Sequence, residues 1–316
     1  MIVKRRGYKR LLKCVLRYRN NSIIRRVANH AKHFFRMKTI AVILAILTCS
    51  VSTGQLLVDA NFNTGNPTQG IFQTGKLPYY PGRSAQIVSD VVREGSGALR
   101  IELHDTDVLR ASGRRAEINM PTTSPINPNV RWYAFSHYLP ANYISDALPE
   151  LHMQIADASG LTAPNVALWL WNQKWYLNRK WDTGSGPQEV LTEITGSAAT
   201  LGAWDDWRIR YVPAIDGSGI IQVYRNGTLV FSHTGPNANA VGGTMVSSRY
   251  ANFGIYKWRW NTPGTYYPNQ RVAYYDKIML GDSTSTLSTF NISGTPVTPP
   301  APTGSQAVQG WLFRTN

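Results

Sequence analysis

Three short stretches carry side chains suited to gripping an acidic sugar and removing a carbon-bound proton from it. Gly113-Arg114-Arg115-Ala116-Glu117-Ile118 supplies guanidinium groups and a carboxylate, Gln154 an amide, and Gly254-Ile255-Tyr256-Lys257-Trp258 a phenol, an ammonium and an indole. Arg115 can hold a carboxylate through two parallel N–H bonds because its guanidinium is a planar fork, and Gln154 can add a further donor. A plainer reading stands beside this one. Arg115 and Glu117 are two residues apart, so on a strand they share a face and can form a structural ion pair, and Tyr256 is one of sixteen tyrosines, most of which must serve as packing.

The elements that would position these residues read as strands. Ala98–Leu103, Trp132–Leu139, Val166–Trp171 and Trp207–Val212 alternate or are rich in aromatic residues, as half-buried strands are. Ile220–Tyr224 and Thr228–Phe231 flank Asn226-Gly227, a pair that predicts a hairpin because a type I′ turn needs positive φ at both central positions. Turn pairs such as Pro81-Gly82, Ser96-Gly97 and Asp216-Gly217 punctuate the chain, and no stretch from residue 55 onward sustains a helical period over three turns. The expectation is one all-β domain over residues 55–291: two packed antiparallel sheets, a concanavalin-like jelly roll, with a long concave groove suited to a polymer. Residues 292–316 begin Pro/Thr-rich and read as a linker and tail.

The formal charge of +15 points at first to nucleic acid or membrane, but its distribution removes that inference. Residues 1–54 hold 13 of the 33 Lys and Arg and no acid, which leaves 20 basic against 18 acidic residues for the rest. Within that leader, Lys38 precedes the apolar run Thr39–Leu47 and then small residues ending at Ser52, the layout of a secretory signal peptide rather than a membrane span. Met37 fits this layout better as a start than Met1, so residues 1–54 are expected to be a basic leader and signal peptide. The only cysteines, Cys14 and Cys49, lie in it. The mature chain is therefore expected to be secreted, free of disulfides, without nucleic-acid partner or stable membrane association, and monomeric.

The Gly113–Ile118 stretch, followed by Tyr133-Ala134-Phe135-Ser136-His137-Tyr138-Leu139-Pro140, Met153-Gln154-Ile155, Gly254–Trp258 and Ala273–Gly281, resembles the heparin-lyase-like and glucuronan-lyase-like polysaccharide lyases, and more distantly the alginate-lyase jelly rolls. The resemblance implies β-elimination at a uronic acid. The C5 proton becomes acidic once the neighbouring carboxylate is neutralised; a base then takes it and an acid serves the leaving O4. It assigns Arg115 and Gln154 to the carboxylate and Tyr256 to proton transfer. Where many relatives carry a histidine, this chain has Ala156. His104, upstream of the Arg-x-Glu motif, is preferred as substitute, with His152, two residues before Gln154, as the other candidate, while His137 and His233 read as ordinary surface or core residues.

Glu117, His152, Arg179, Lys257, Trp258 and Arg259 are expected at substrate, with Lys180 a further cation near the chain of sugars. Consecutive strand residues point to opposite faces, so one of Tyr256 and Lys257 should face away from the groove. Trp169 with Trp171, and Trp258 with Trp260, share faces and can stack on sugar rings, or one pair can belong to the core. Relatives with a structural calcium implicate Asp59 and Asp276; no cofactor is otherwise required. The partner expected is an acidic polysaccharide, glucuronan or alginate rather than heparin, since the mature charge is small. A sandwich glycosidase would need paired carboxylates on one strand, which the chain lacks. A non-catalytic, lectin-like sugar-binding jelly roll is the alternative, favoured by Ala156 and opposed by the joint presence of Arg115, Gln154 and Tyr256.

Overall fold

The computed structural model describes residues 54–76, 83–110, 113–121 and 123–298. The chain divides into two units, Met1–Ser52 and Thr53–Asn316, and the described residues all belong to the second. The expected signal peptide, the Met37 start, both cysteines and the tail beyond residue 298 lie outside the described residues.

Among the described residues seventeen strands follow in order: β1 (Leu56–Ala60), β2 (Gln73–Lys76), β3 (Ala85–Val88), β4 (Ala98–His104), β5 (Arg114–Met120), β6 (Trp132–Tyr138), β7 (Glu150–Asp157), β8 (Val166–Trp171) and β9 (Lys174–Trp181). Then come β10 (Gln188–Ala198), β11 (Trp204–Val212), β12 (Ile220–Arg225), β13 (Thr228–Thr234), β14 (Ala240–Val241), β15 (Thr244–Met245), β16 (Arg249–Lys257) and β17 (Gln270–Gly281). A first sheet runs β13-β12-β11-β6-β17-β4-β3 with β1 also on β17; a second runs β10-β9-β8-β7-β16-β5-β2; β14 and β15 form a small ribbon. The pairings are antiparallel, and the two large sheets stack as a jelly-roll sandwich.

Alternation explains how these sequences make two layers. On β5, Ala116, Ile118 and Met120 are fully buried in the core, which turns Arg115, Glu117 and Asn119 to the other face. On β16, Ala251, Phe253 and Ile255 point inward, and Tyr250, Asn252, Gly254 and Tyr256 outward. Between the sheets, Phe135 of β6 meets Phe253 edge-on at 5.5 Å, and Trp175 of β9 meets Trp207 of β11 at 5.3 Å. Each such side chain contributes roughly 1.5–3 kcal/mol by leaving water. The β12–β13 hairpin turns through Asn226 and Gly227 at φ 50° and 81°, both positive as the turn type demands.

Two irregularities shape the second sheet. The β7 register shifts between Leu151 and Met153 against β8, and the β16 register shifts between Phe253 and Tyr256 against β7. The extra residue in β7 breaks its alternation, so His152 and Met153 both enter the interior while Leu151 sits opposite Tyr256 and Trp169. Gly254, at φ +143°, passes so close to β5 that an added Cβ would lie 2.1 Å from the Ala116 carbonyl oxygen; no other residue fits there.

The body of the fold also continues past the expected boundary at residue 291. Val297 exchanges two backbone hydrogen bonds with Val92, at 2.7 and 2.9 Å, and the Glu94 carboxylate accepts the Ser293 N–H at 2.8 Å.

Candidate active site

Strands β5, β7 and β16 are neighbours, and their outward residues form one continuous cluster. Arg115 and Tyr256 are direct cross-strand partners. The guanidinium carbon of Arg115 stands 3.7 Å from the Tyr256 ring centroid, a cation–π stack. Glu117, only 1 % exposed, is the hub beneath them. Its Oε1 accepts Gln154 Nε2 at 2.6 Å; its Oε2 lies 3.4 Å from both Arg115 Nη1 and Asn252 Nδ2. Asn119 Nδ2 in turn donates to Asn252 Oδ1 at 2.6 Å. Arg115 is 8 % exposed, and its Nε has no hydrogen-bond partner among the described residues.

The ion pair between Arg115 and Glu117 and the cluster around Tyr256 therefore coexist: one carboxylate holds both the guanidinium and the amide in place. Glu117 itself, expected at substrate, is buried behind the groups it positions.

One end of this face is aromatic. Trp258, just after β16, lies 4.6 Å from Trp169 of β8 and 6.0 Å from Tyr256, so phenol and indoles form a corner on the Arg115 side. Arg259 is exposed in the following loop. Farther along the sheet, Lys180 of β9 pairs with Glu189 of β10 at 3.2 Å, and Asn178 donates to the same carboxylate at 2.8 Å.

Tyr250 was not singled out by the sequence. It stands on the outward face of β16, directly opposite Ala156 of β7, the position where a histidine was expected. Burial raises its pKa; the charge of Arg115 opposes this, and Glu117, Asp157 and Tyr256 add to it. The period-two spacing from Tyr256 through Gly254 and Asn252 was the signal that could have found it.

Four expected site residues are elsewhere. His104 belongs to β4 of the first sheet, where Leu99, Ile101 and Leu103 point inward; its Nε2 pairs with Glu102 on the outer face of that sheet, remote from Arg115. His152 is turned inward by the β7 bulge. Its Nδ1 lies 3.0 Å from His137 Nε2, and the Tyr275 hydroxyl donates to its carbonyl oxygen at 2.8 Å. Burial, then the charges of His152 and Arg225, hold the His137 imidazole well below its ordinary pKa.

Arg179 has the inward parity of Trp175 and Leu177, and its guanidinium carbon lies 5.8 Å from the Phe231 ring on β13 of the other sheet. Lys257, next to outward Tyr256, is fully buried. Its Nζ donates to Asp146 at 2.6 Å and to the Leu148 carbonyl oxygen at 2.7 Å, and lies 3.5 Å from Glu150. Arg271 completes this interior quartet, 3.0 Å from each carboxylate. Burial alone would raise the Glu150 carboxyl, but the charges of Lys257 and Arg271, with the His152 imidazole 3.4 Å away, hold it far below the usual carboxylate range.

The calcium expectation does not fit the residues. Asp59 pairs with Lys277 Nζ at 3.0 Å. Asp276 is buried and accepts backbone N–H bonds from Arg93, Glu94 and Lys277, and burial pushes its carboxyl up to about 7. A cage for Ca²⁺ needs six to eight converging oxygens, and no group of three or more His, Cys, Asp or Glu able to hold a metal occurs among the described residues.

No curated protein sequence matches the chain significantly. Among solved structures, an endo-β-1,4-glucuronan lyase from the fungus Trichoderma reesei is similar with a TM-score of 0.59 at 16 % identity, over 78 % of this chain and 99 % of that one. A family 131 β-glucanase catalytic domain from Podospora anserina matches with a TM-score of 0.50 at 14 % identity, over 75 % and 100 %. A lyase and a glucanase on one sandwich show the fold and leave the chemistry to other observations. That decision comes from residues 62–279, more than half of the chain and all of the strands described around Arg115, which match the family model for polysaccharide lyases. The chain belongs to the polysaccharide lyase family.

Proposed function

We propose that this lyase acts on a uronic-acid polysaccharide of glucuronan or alginate type, by β-elimination, outside the cell. The observation that carries the reading is the shared outward face of Arg115, Gln154 and Tyr256, with the guanidinium stacked on the phenol ring at 3.7 Å. Such a face meets the demands of the reaction in order.

Arg115 pairs with the uronate carboxylate and removes the charge that would oppose carbanion formation, while Glu117 keeps Arg115 and Gln154 oriented. The Tyr256 oxygen, deprotonated, takes the C5 proton. The electrons of that C–H bond form the C4–C5 double bond as the C4–O4 bond breaks, and the proton held on Tyr256 passes to the departing O4. One phenol can serve both halves because it ends in the state in which it began. Trp258 and Trp169 beside it offer indole surface for the neighbouring sugar rings. Tyr250, at the place opposite Ala156, flanks the carboxylate grip as a second phenol.

Secretion rests on the basic, then apolar, then small-residue order of residues 38–52. No helix among the described residues is long and apolar enough to cross a membrane.

The test is incubation with glucuronan, alginate and heparin while following the ultraviolet absorbance of unsaturated uronate ends. A rise with glucuronan or alginate is expected. No rise with any uronate polymer, in protein shown to be folded, would overturn the reading.

A further inference from the structure

The first sheet carries a second built surface on the opposite side of the sandwich. A cavity of about 450 Å³ opens on its outer face. Its floor is Arg100 of β4 and Val272 and Tyr274 of β17, whose inward neighbours Leu99, Ile101, Ala273 and Tyr275 are core. One wall is the segment after β6, with Asn142; the other is the segment entering β17, with Asn269 and Gln270. None of these residues is used by the proposed elimination.

The lining has a distinct chemistry. Its single cation among the described residues is already neutralised: Arg100 Nη2 lies 2.5 Å from Glu102, and Arg100 Nη1 donates to Gln86 at 3.2 Å. What remains is an aromatic ring beside amide side chains, Asn142 and Asn269 both exposed. Amides donate and accept at once, as the adjacent hydroxyls of a sugar do, and the C–H face of a pyranose packs on a tyrosine ring. The ring is oriented in advance. Tyr274 stands edge-on to Tyr138 at 5.6 Å, and Tyr138 is braced by Trp204 at 5.5 Å. Such preorganisation lowers the ordering cost of binding. In the lining, Ile144 is 52 % exposed, apolar surface that a bound chain would cover.

We propose that this cavity is a second carbohydrate site, one that takes a neutral hexopyranose unit and so tethers the enzyme to an uncharged polysaccharide while the opposite face cuts. A uronate is disfavoured here because the described lining leaves no unpaired cation to meet its carboxylate, in contrast to Arg115. The inference does not depend on the uronate reading of the other face.

Affinity electrophoresis and calorimetry with a soluble β-1,4-glucan and a soluble β-1,4-mannan test it, on the wild type, Tyr274→Ala, the double variant Asn142→Ala with Asn269→Ala, and Arg115→Ala. The wild type should be retarded by at least one neutral glycan. The Tyr274 variant and the double variant should bind it about tenfold or more weakly, and Arg115→Ala should bind it as the wild type does. Elimination from short uronate oligosaccharides should be unchanged in both cavity variants. Should Tyr274→Ala fail to fold, the exposed double variant decides alone. No retardation by either glycan, unaltered binding in the cavity variants, or loss of binding in Arg115→Ala instead would overturn the proposal.

Discussion

Arg115 and Tyr256 face each other across β5 and β16, the guanidinium carbon 3.7 Å from the phenol centroid. Neither residue is held by this contact alone. Glu117 anchors the guanidinium from below, and Gly254, packed against the Ala116 carbonyl, lets β16 come close enough for the stack. A pair of groups suited to neutralising a carboxylate and moving a proton is thus fixed by backbone before any substrate arrives.

Glu117→Gln should lower kcat by roughly one to two orders of magnitude with little change in KM, because it removes the carboxylate that orients Arg115 and Gln154; a hydrogen bond to a charged group is worth about 1.5–3 kcal/mol. Steady-state kinetics on a uronate polymer checks this. A rise in KM at constant kcat would instead make Glu117 a substrate contact.

Lys257→Met should act on stability. It leaves Asp146 and Glu150 with Arg271 as their Lys or Arg partner among the described residues, and breaking a buried ion pair costs about 3–5 kcal/mol. Thermal or denaturant unfolding should show a large loss, while the folded fraction keeps its KM. A loss of substrate affinity without loss of stability would return Lys257 to the substrate face.

Asp276 gives a pH signature. Its carboxyl is raised in the fold to about 7 from an ordinary 3.8, so the folded state binds this proton more tightly than the unfolded chain does. Its contribution is fully present below about pH 4 and is lost as pH rises toward 7, at about 1.4 kcal/mol per pKa unit. Asp276→Asn should flatten that part of the stability curve, measured as the difference between variant and wild type from pH 4 to 8. An unchanged slope would show that the carboxyl titrates normally.

Chelation should leave the melting temperature unchanged. Asp59 and Asp276 are engaged with Lys277 and with backbone N–H groups, and no metal-binding cluster of carboxylates occurs among the described residues. A marked fall in melting temperature with a calcium-selective chelator, restored by added calcium, would contradict this.

The sequence revealed faces better than layers. Alternation in Arg115-Ala116-Glu117 put Arg115 and Glu117 on one face and Asn226-Gly227 predicted its hairpin, because these signals depend on neighbours in the chain, whereas Tyr256 joined that face only through the family resemblance. His104 was misplaced since parity says which way a residue points from its own sheet, but not which sheet the strand joins; β4 joined the other one. His152 was misplaced by a single extra residue in β7, and strict period-two counting cannot see a bulge. Arg179 shows a third limit: its inward parity was readable from Trp175 and Leu177, but a cation on the core side is an uncommon choice that composition argues against. Tyr250 was hidden among sixteen tyrosines until β7 supplied Ala156 as its partner.

The most direct test of the central claim is mass analysis of the ends released from glucuronan and alginate by the wild type and by Tyr256→Phe at matched concentration. Elimination at the Arg115–Tyr256 face predicts fragments whose new non-reducing end is an unsaturated uronate, lighter by one water than a hydrolysis product, and a rate reduced about 10²–10⁴-fold in the variant while its melting behaviour is kept. Saturated ends, or a Tyr256→Phe enzyme as fast as the wild type, would contradict the account.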